Sequence, residues 1–371
     1  MGENGNAQTG LQRKPGMAAH EAVMHEHARW ENWGEGLWLR SKRWDLCCLT
    51  LSGVLVIIPL LLYEMVGSSA VFVNLFVAGV IGGPHMYATF FRTALNPSFR
   101  RQHRVMLPVS GLIPLCVIGL AWWHFQLLIT LFFFWASIHV LHQVAYIVEC
   151  YERKQPRPLP IWSRAIDYAV VFSCLFPMAS YKFIHNEFYI GSTRLLYPEM
   201  LKTPLIFYAI TAFFTLALLL FVVKTVTEIR QRTVHYPKVL LILTTVGLAL
   251  LITSYGGDRL EIAFQGFNTW HSFQYLALTW YITLLRPQPS RDESKVMHWL
   301  DDTASHRRFR AFYGANIALT VLAIGVIGAV VALTPLSFER AYYIVVLSVL
   351  LVHYCHDHVL FTRFEALARP A

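Results

Sequence analysis

Ten apolar runs, each long enough to cross a lipid bilayer, divide this chain at roughly 46–63, 69–91, 105–123, 125–148, 165–184, 203–223, 238–255, 259–285, 313–333 and 341–362. A spanning helix needs about 20 predominantly apolar residues, because its backbone N–H and C=O groups find no water in the hydrocarbon core and must pair within the segment. The pattern predicts an all-α, polytopic transmembrane helical bundle of about ten spans. Runs three and four are nearly continuous; Trp122, Trp123 and His124 set a turn between them, since two aromatics and a histidine suit an interface. The eighth is interrupted by Glu261, Gln265, Asn268 and Gln274, so its helix is expected to face the bundle interior.

Charge agrees with this reading. Only 14% of the residues are charged, against about 25% in soluble domains. The net charge of +9 does not indicate nucleic acid, because the basic residues sit in short clusters between apolar runs. If the N-terminus is placed inside, 26 of the 31 Lys and Arg fall on inside segments. Only Lys182, Arg194, Lys202, Arg259 and Arg340 fall outside. That bias predicts both termini on the cytoplasmic side of the cell's inner (cytoplasmic) membrane.

One transmembrane domain over 41–365 is therefore expected, with a mixed-charge connector at about 287–312 forming a surface helix. A polar tail over 1–40 precedes it and a short tail over 366–371 follows. The tail's "HEAVMHEHARWENW" suits a short interfacial helix, with Trp30, Trp33 and Trp38 at headgroup level. No cleavable signal peptide is visible in the tail. The six cysteines show neither CxxC nor framework spacing, so they read as small apolar residues.

The histidines carry the functional argument. His85, His139, His142, His271, His353 and His356 lie inside runs two, four, eight and ten, all of which run from outside to inside. His85 precedes Arg92 by seven residues, His142 precedes Glu149 by seven, and His356 precedes Arg363 by seven. A rise of about 1.5 Å per residue puts those three at nearly equal depth. His271, fifteen residues before Arg286, is the outlier, and its helix is expected to be tilted or broken. The pairs His139/His142 and His353/His356 are spaced i, i+3, on one helix face. Ionisable groups in a membrane are costly and mark function. Six imidazoles suit iron (Fe2+) first, with copper and zinc as alternatives.

Other residues extend the candidate site. Asp357 is placed to orient His353, and with Tyr146 and Gln274 it forms the expected catalytic set. Gln143 and Tyr275 are further hydrogen-bonding candidates, and Glu149 and Glu261 are candidate ligands or proton carriers. In "GGPH", Gly82, Gly83 and Pro84 imply either a kink or a close helix contact. "NPSFRRQHR" reads as a basic turn that sets topology, and "SYGGDR" as a short external turn.

Placing several intramembrane histidines near the cytoplasmic face resembles the integral-membrane polyhistidine non-haem iron oxygenases. These include fatty-acid desaturases and hydroxylases and the Brp/Blh carotene-cleaving dioxygenases. The resemblance covers "GGPHMYATFFR", "SIHVLHQVAY", "NTWHSFQYLALTW" and "VHYCHDHVLF". The desaturase boxes HxxxH and HxxHH are absent, and placement inside helices is nearer the Brp/Blh type. It implies an iron-dependent oxidoreductase acting on a lipid-like or other hydrophobic small molecule taken from the bilayer. No flavin or nicotinamide fingerprint is present, so any reductant is a separate electron donor. Two alternatives stay open: a haem- or quinone-binding redox protein, in which facing histidines hold a haem axially, and a His-gated transporter.

Overall fold

A computed structural model describes residues 35–67, 69–155, 159–186, 188–255, 260–285, 294–362 and 367. Most of the polar tail, including Trp30 and Trp33, lies outside the described residues. So do the tip of "SYGGDR", the first part of the connector and nearly all of the C-terminal tail.

The chain is a bundle of helices with almost no strand. They are α1 (Lys42–Met65), α2 (Ala70–Arg92), α3 (Pro97–Gln102), α4 (Met106–Trp123), α5 (Phe125–Glu152), α6 (Ile161–Ser173) and α7 (Phe176–His185). After them come α8 (Pro204–Arg230), α9 (Tyr236–Tyr255), α10 (Leu260–Leu284), α11 (Lys295–Ser305), α12 (Phe309–Leu333) and α13 (Phe338–Leu360). A two-residue hairpin, β1 (Tyr189–Ile190) with β2 (Thr193–Arg194), turns at Gly191, whose φ of +59° needs a residue without a Cβ. Among the described residues, seven helices are long and apolar enough to cross a membrane: α1, α2, α4, α5, α8, α12 and α13.

Several boundaries have a local cause. The helix breaks at His124, between α4 and α5, where the aromatic pair sets the turn. Run five does not form one continuous helix. It splits into α6 and α7 around Cys174, and Pro177 opens α7 because its missing N–H costs nothing in a first turn. Run eight is not broken: α10 continues through His271. The connector does form a helix, α11, capped by the Ser294 hydroxyl. The basic turn folds as α3, capped by Asn96.

Burial sorts the helices into layers. In the most apolar stretch of α5, 56% of residues are buried, and in α13 44%, whereas in α4, α8 and α12 only 17% are. Helices that are apolar yet mostly uncovered need an apolar surrounding, which is the pattern of a lipid-facing layer. At the centre α2 packs on α10 and α13, and α5 packs on the same two helices. These four central helices carry the six intramembrane histidines singled out above.

A separate ionic knot ties α5, α6, α8 and α9. Lys238 Nζ lies 2.7 Å from Glu152 and 2.8 Å from Asp167, while Lys224 pairs with the other oxygen of Asp167. Glu228, 3.6 Å from Lys224, joins at the edge with Glu152, and Lys224, Lys238 and Asp167 are essentially sealed from solvent. Such charges persist in an interior only when paired.

Candidate metal centre

The central helices bring four of the six singled-out histidines together. The ring of His85 lies 4.8 Å from that of His353 and 5.2 Å from that of His271. His139 lies 5.0 Å from His271 and 5.2 Å from His353. The four rings therefore close a cycle, one from each of α2, α5, α10 and α13. Exposure is 2% for His85, 4% for His139, 2% for His271 and 0% for both His353 and Asp357, so bulk solvent does not reach them.

Local structure explains how His85 reaches this centre. Ala78–Gly82 forms a π-turn immediately before Gly83-Pro84-His85. A π-turn shifts the phase of the helix that follows it, and such turns recur at functional sites. A close helix contact is present as well. A Cβ added at Gly83 would come within 2.4 Å of the Thr320 methyl on α12, so only glycine permits this approach.

The ring nitrogens are divided by role. His353 Nδ1 lies 2.6 Å from Thr89 Oγ1, and His85 Nδ1 lies 2.9 Å from Ser272 Oγ. The Tyr275 hydroxyl donates to Asp357 Oδ1 at 2.6 Å, and the Thr89 hydroxyl donates to the same oxygen at 3.1 Å. Thr89 Oγ1 also lies 2.6 Å from the Tyr275 hydroxyl, and its single hydrogen serves one neighbour at a time; when that hydrogen is on the carboxylate, His353 Nδ1–H is the donor to Thr89. That tautomer leaves a lone pair on His353 Nε2.

The opposite ends of these side chains have no partner. His85 Nε2, His139 Nε2, both ring nitrogens of His271, His353 Nε2 and Asp357 Oδ2 are buried without a hydrogen bond. Each such atom costs about 1–3 kcal/mol when left unsatisfied. Five side chains carrying such atoms, with His271 able to turn only one of its two nitrogens to an ion, are a concentration that calls for an occupant. Asp357 Oδ2 lies 3.5 Å from His353 Nε2 and 3.9 Å from His139 Nε2. Donors sharing one ion at about 2.1 Å stand about 3–4.2 Å apart, so these separations suit a common metal. In two triads, His85/His271/His353 and His139/His353/Asp357, the donor atoms all lie within 4.8 Å of one another, and His353 is common to both. The donors fit a metal in chemistry as well, because neutral imidazole and carboxylate both bind iron, copper or zinc.

The remaining candidates lie elsewhere. His356 has both nitrogens engaged, Nδ1 at 2.9 Å from Thr93 Oγ1 and Nε2 at 3.1 Å from Ser110 Oγ. His142 is only partly buried, and its ring faces His358 at 5.5 Å and Phe361 at 5.2 Å. Gln274 donates to the Leu49 carbonyl at 2.6 Å and accepts from Gln143 at 3.1 Å, which ties α10 to α1 and α5 instead of meeting the imidazoles. Tyr146 stacks on Phe361 at 4.9 Å, and Phe361 in turn covers His139 at 5.9 Å, so Tyr146 is one ring removed. Glu149 is held by Arg164 at 2.7 Å and Tyr168 at 2.6 Å, and Glu261 accepts from Asn74; neither joins the histidines. Sequence reasoning missed Thr89 and Ser272. Each sits i+4 or i+1 from a histidine on its own helix, but hydroxyls are too common in apolar helices for that to signal anything.

No protein-family model, curated protein or solved structure matches this chain, so its function is argued from the residues themselves.

Proposed function

We propose that this protein is a membrane-embedded, metal-dependent oxidoreductase acting on a hydrophobic substrate. In this reading it crosses the cytoplasmic membrane ten times with both termini inside. The observation that carries the proposal is the gathering of five buried side chains from four helices, each with a ring nitrogen or carboxylate oxygen that has no hydrogen-bond partner among the described residues. His85, His139, His271 and His353 would hold the ion, and Asp357 Oδ2 would either complete its donor set or hold a proton beside it. Thr89 and Ser272 orient two of the rings, and Tyr275 fixes the carboxylate. Phe361 and Tyr354, which stacks on His139 at 4.0 Å, keep water out.

Iron, when bound, would supply oxygen activation for attack on an inert C–H or C=C bond; copper is the redox alternative, and zinc would imply hydrolysis instead. A cleavage that leaves both oxygen atoms in the product balances without added electrons. A hydroxylation that releases one oxygen as water needs two electrons and two protons from a separate donor protein.

Two observations weigh against the other readings. The rings meet edge to face at about 5 Å, which leaves no flat slot for a haem between them. A His-gated transporter calls for a wet path past the rings, and these are almost fully buried.

The test is metal quantification on protein purified anaerobically from iron-replete cells. The expected result is stoichiometric iron, no Soret band, and loss of the metal in a His139→Ala/His353→Ala double variant that keeps its helicity. Absence of any metal from folded wild-type protein would overturn the proposal.

A further inference from the structure

An apolar cavity of about 310 Å3 opens between α2, α12 and the first half of α13. Its rim includes Leu75, Ile324 and Phe338, all exposed, and its inner wall includes Met86, Thr320 and Ile327, all buried. Among the described residues, no charged side chain lines it. A narrower pocket of about 60 Å3 continues inward. Ala78, Met86, Tyr342 and Val346 line both spaces, and His85 lines the inner one. Those four residues therefore separate the cavity with the exposed rim from a pocket that reaches an imidazole whose Nε2 has no hydrogen-bond partner among the described residues.

We infer that this cavity seats one acyl chain of a membrane lipid, entering sideways from the bilayer. The volume is at the low end of the roughly 300–1,000 Å3 typical of ligand sites, enough for a single chain and not for a whole two-chain lipid. The uncharged lining accepts hydrocarbon and leaves an ionic headgroup at the rim, where it stays hydrated. Two glycines keep the space open. Gly79 and Gly328 both line the cavity, and a Cβ added at either meets nothing within 4 Å. Met86, the residue after His85, lines both spaces, and its flexible thioether can move aside for a chain that passes from one to the other. The reacting carbon would then arrive beside His85. Only that last step rests on the proposed metal chemistry; seating the chain does not require the ion.

The test uses the full-length protein in phosphatidylcholine vesicles that carry a diazirine on the acyl chain, with crosslinked peptides mapped after photolysis. Crosslinks should concentrate on Gly79–Met86, Thr320–Gly328 and Tyr342–Val346. The pair Gly79→Leu/Gly328→Leu should reduce them by about tenfold or more, with metal content and helicity unchanged. Gly325→Leu, on α12 outside the cavity and also facing open space, should leave them intact. Crosslinks spread evenly over outward faces such as α8, or unmoved by the leucine pair, would overturn the inference. Concentrated crosslinks on a metal-free protein would sustain the chain site while overturning the proposed oxidoreductase. Bound metal with no concentrated crosslinks would do the reverse.

Discussion

Thr89 Oγ1 lies 2.6 Å from His353 Nδ1, and the same hydroxyl donates to the Asp357 carboxylate. One side chain on α2 thereby touches both an imidazole on α13 and the carboxylate beside it. Outer groups of this kind often decide how well a metal is held.

Thr89→Val keeps the shape and removes the hydroxyl. It should weaken metal affinity by about 10–100-fold, the usual cost of losing such a partner. Thr89→Ser should restore most of that affinity. Titration against a competing chelator measures both, and an unchanged affinity in the valine variant would contradict the assigned role.

The two histidines of the α13 pair should behave differently. His353→Ala should release the metal. His356→Ala should keep the metal and lose stability instead, by about 1–3 kcal/mol, because it removes a buried ring and its two hydrogen bonds and leaves Thr93 and Ser110 with only their backbone carbonyl partners. Metal content and thermal unfolding in detergent separate the two effects, and metal loss in the His356 variant would show that the site is drawn wrongly.

Lys238 is fully buried between Glu152 and Asp167. Lys238→Met leaves two carboxylates short of a counter-charge and should cost about 3–5 kcal/mol. The same unfolding assay applies, and a change below about 1 kcal/mol, the range of a surface pair, would mean the knot is not sealed.

Gly266 sits where α10 meets α1, and a Cβ there would come within 2.6 Å of the Val56 carbonyl oxygen. Backbone cannot yield as a side chain does, so Gly266→Ala should cost about 1–3 kcal/mol. Gly314→Ala, which faces open space on α12, should be neutral or stabilising by up to about 1 kcal/mol through helix propensity. Equal effects at the two positions would contradict the close contact.

The sequence revealed most of the helices and which of them carry the buried histidines, because polar residues in apolar runs are conspicuous. Counting residues from the inner end matched His85 with His142 and His356. The structure instead joins His85 to His139, His271 and His353. Residues i and i+3 stand about 60° apart around a helix and about 4.5 Å along it, so the members of a pair can serve different neighbours. Rotation of each helix is set by tertiary contacts. The π-turns at Leu46–Thr50 and Ala78–Gly82 shift the phase further, and apolar composition does not announce such turns. Gln274 shows the complementary error: an intramembrane amide reads as functional, yet its bonds go to the Leu49 carbonyl and Gln143.

X-ray absorption at the edge of the co-purified metal tests the central claim most directly. The account predicts a shell of nitrogen and oxygen donors at about 2.0–2.2 Å, with the outer-shell scattering of several imidazoles, collapsing in His353→Ala. A sulfur-dominated shell, or the same spectrum with and without His353, would contradict it.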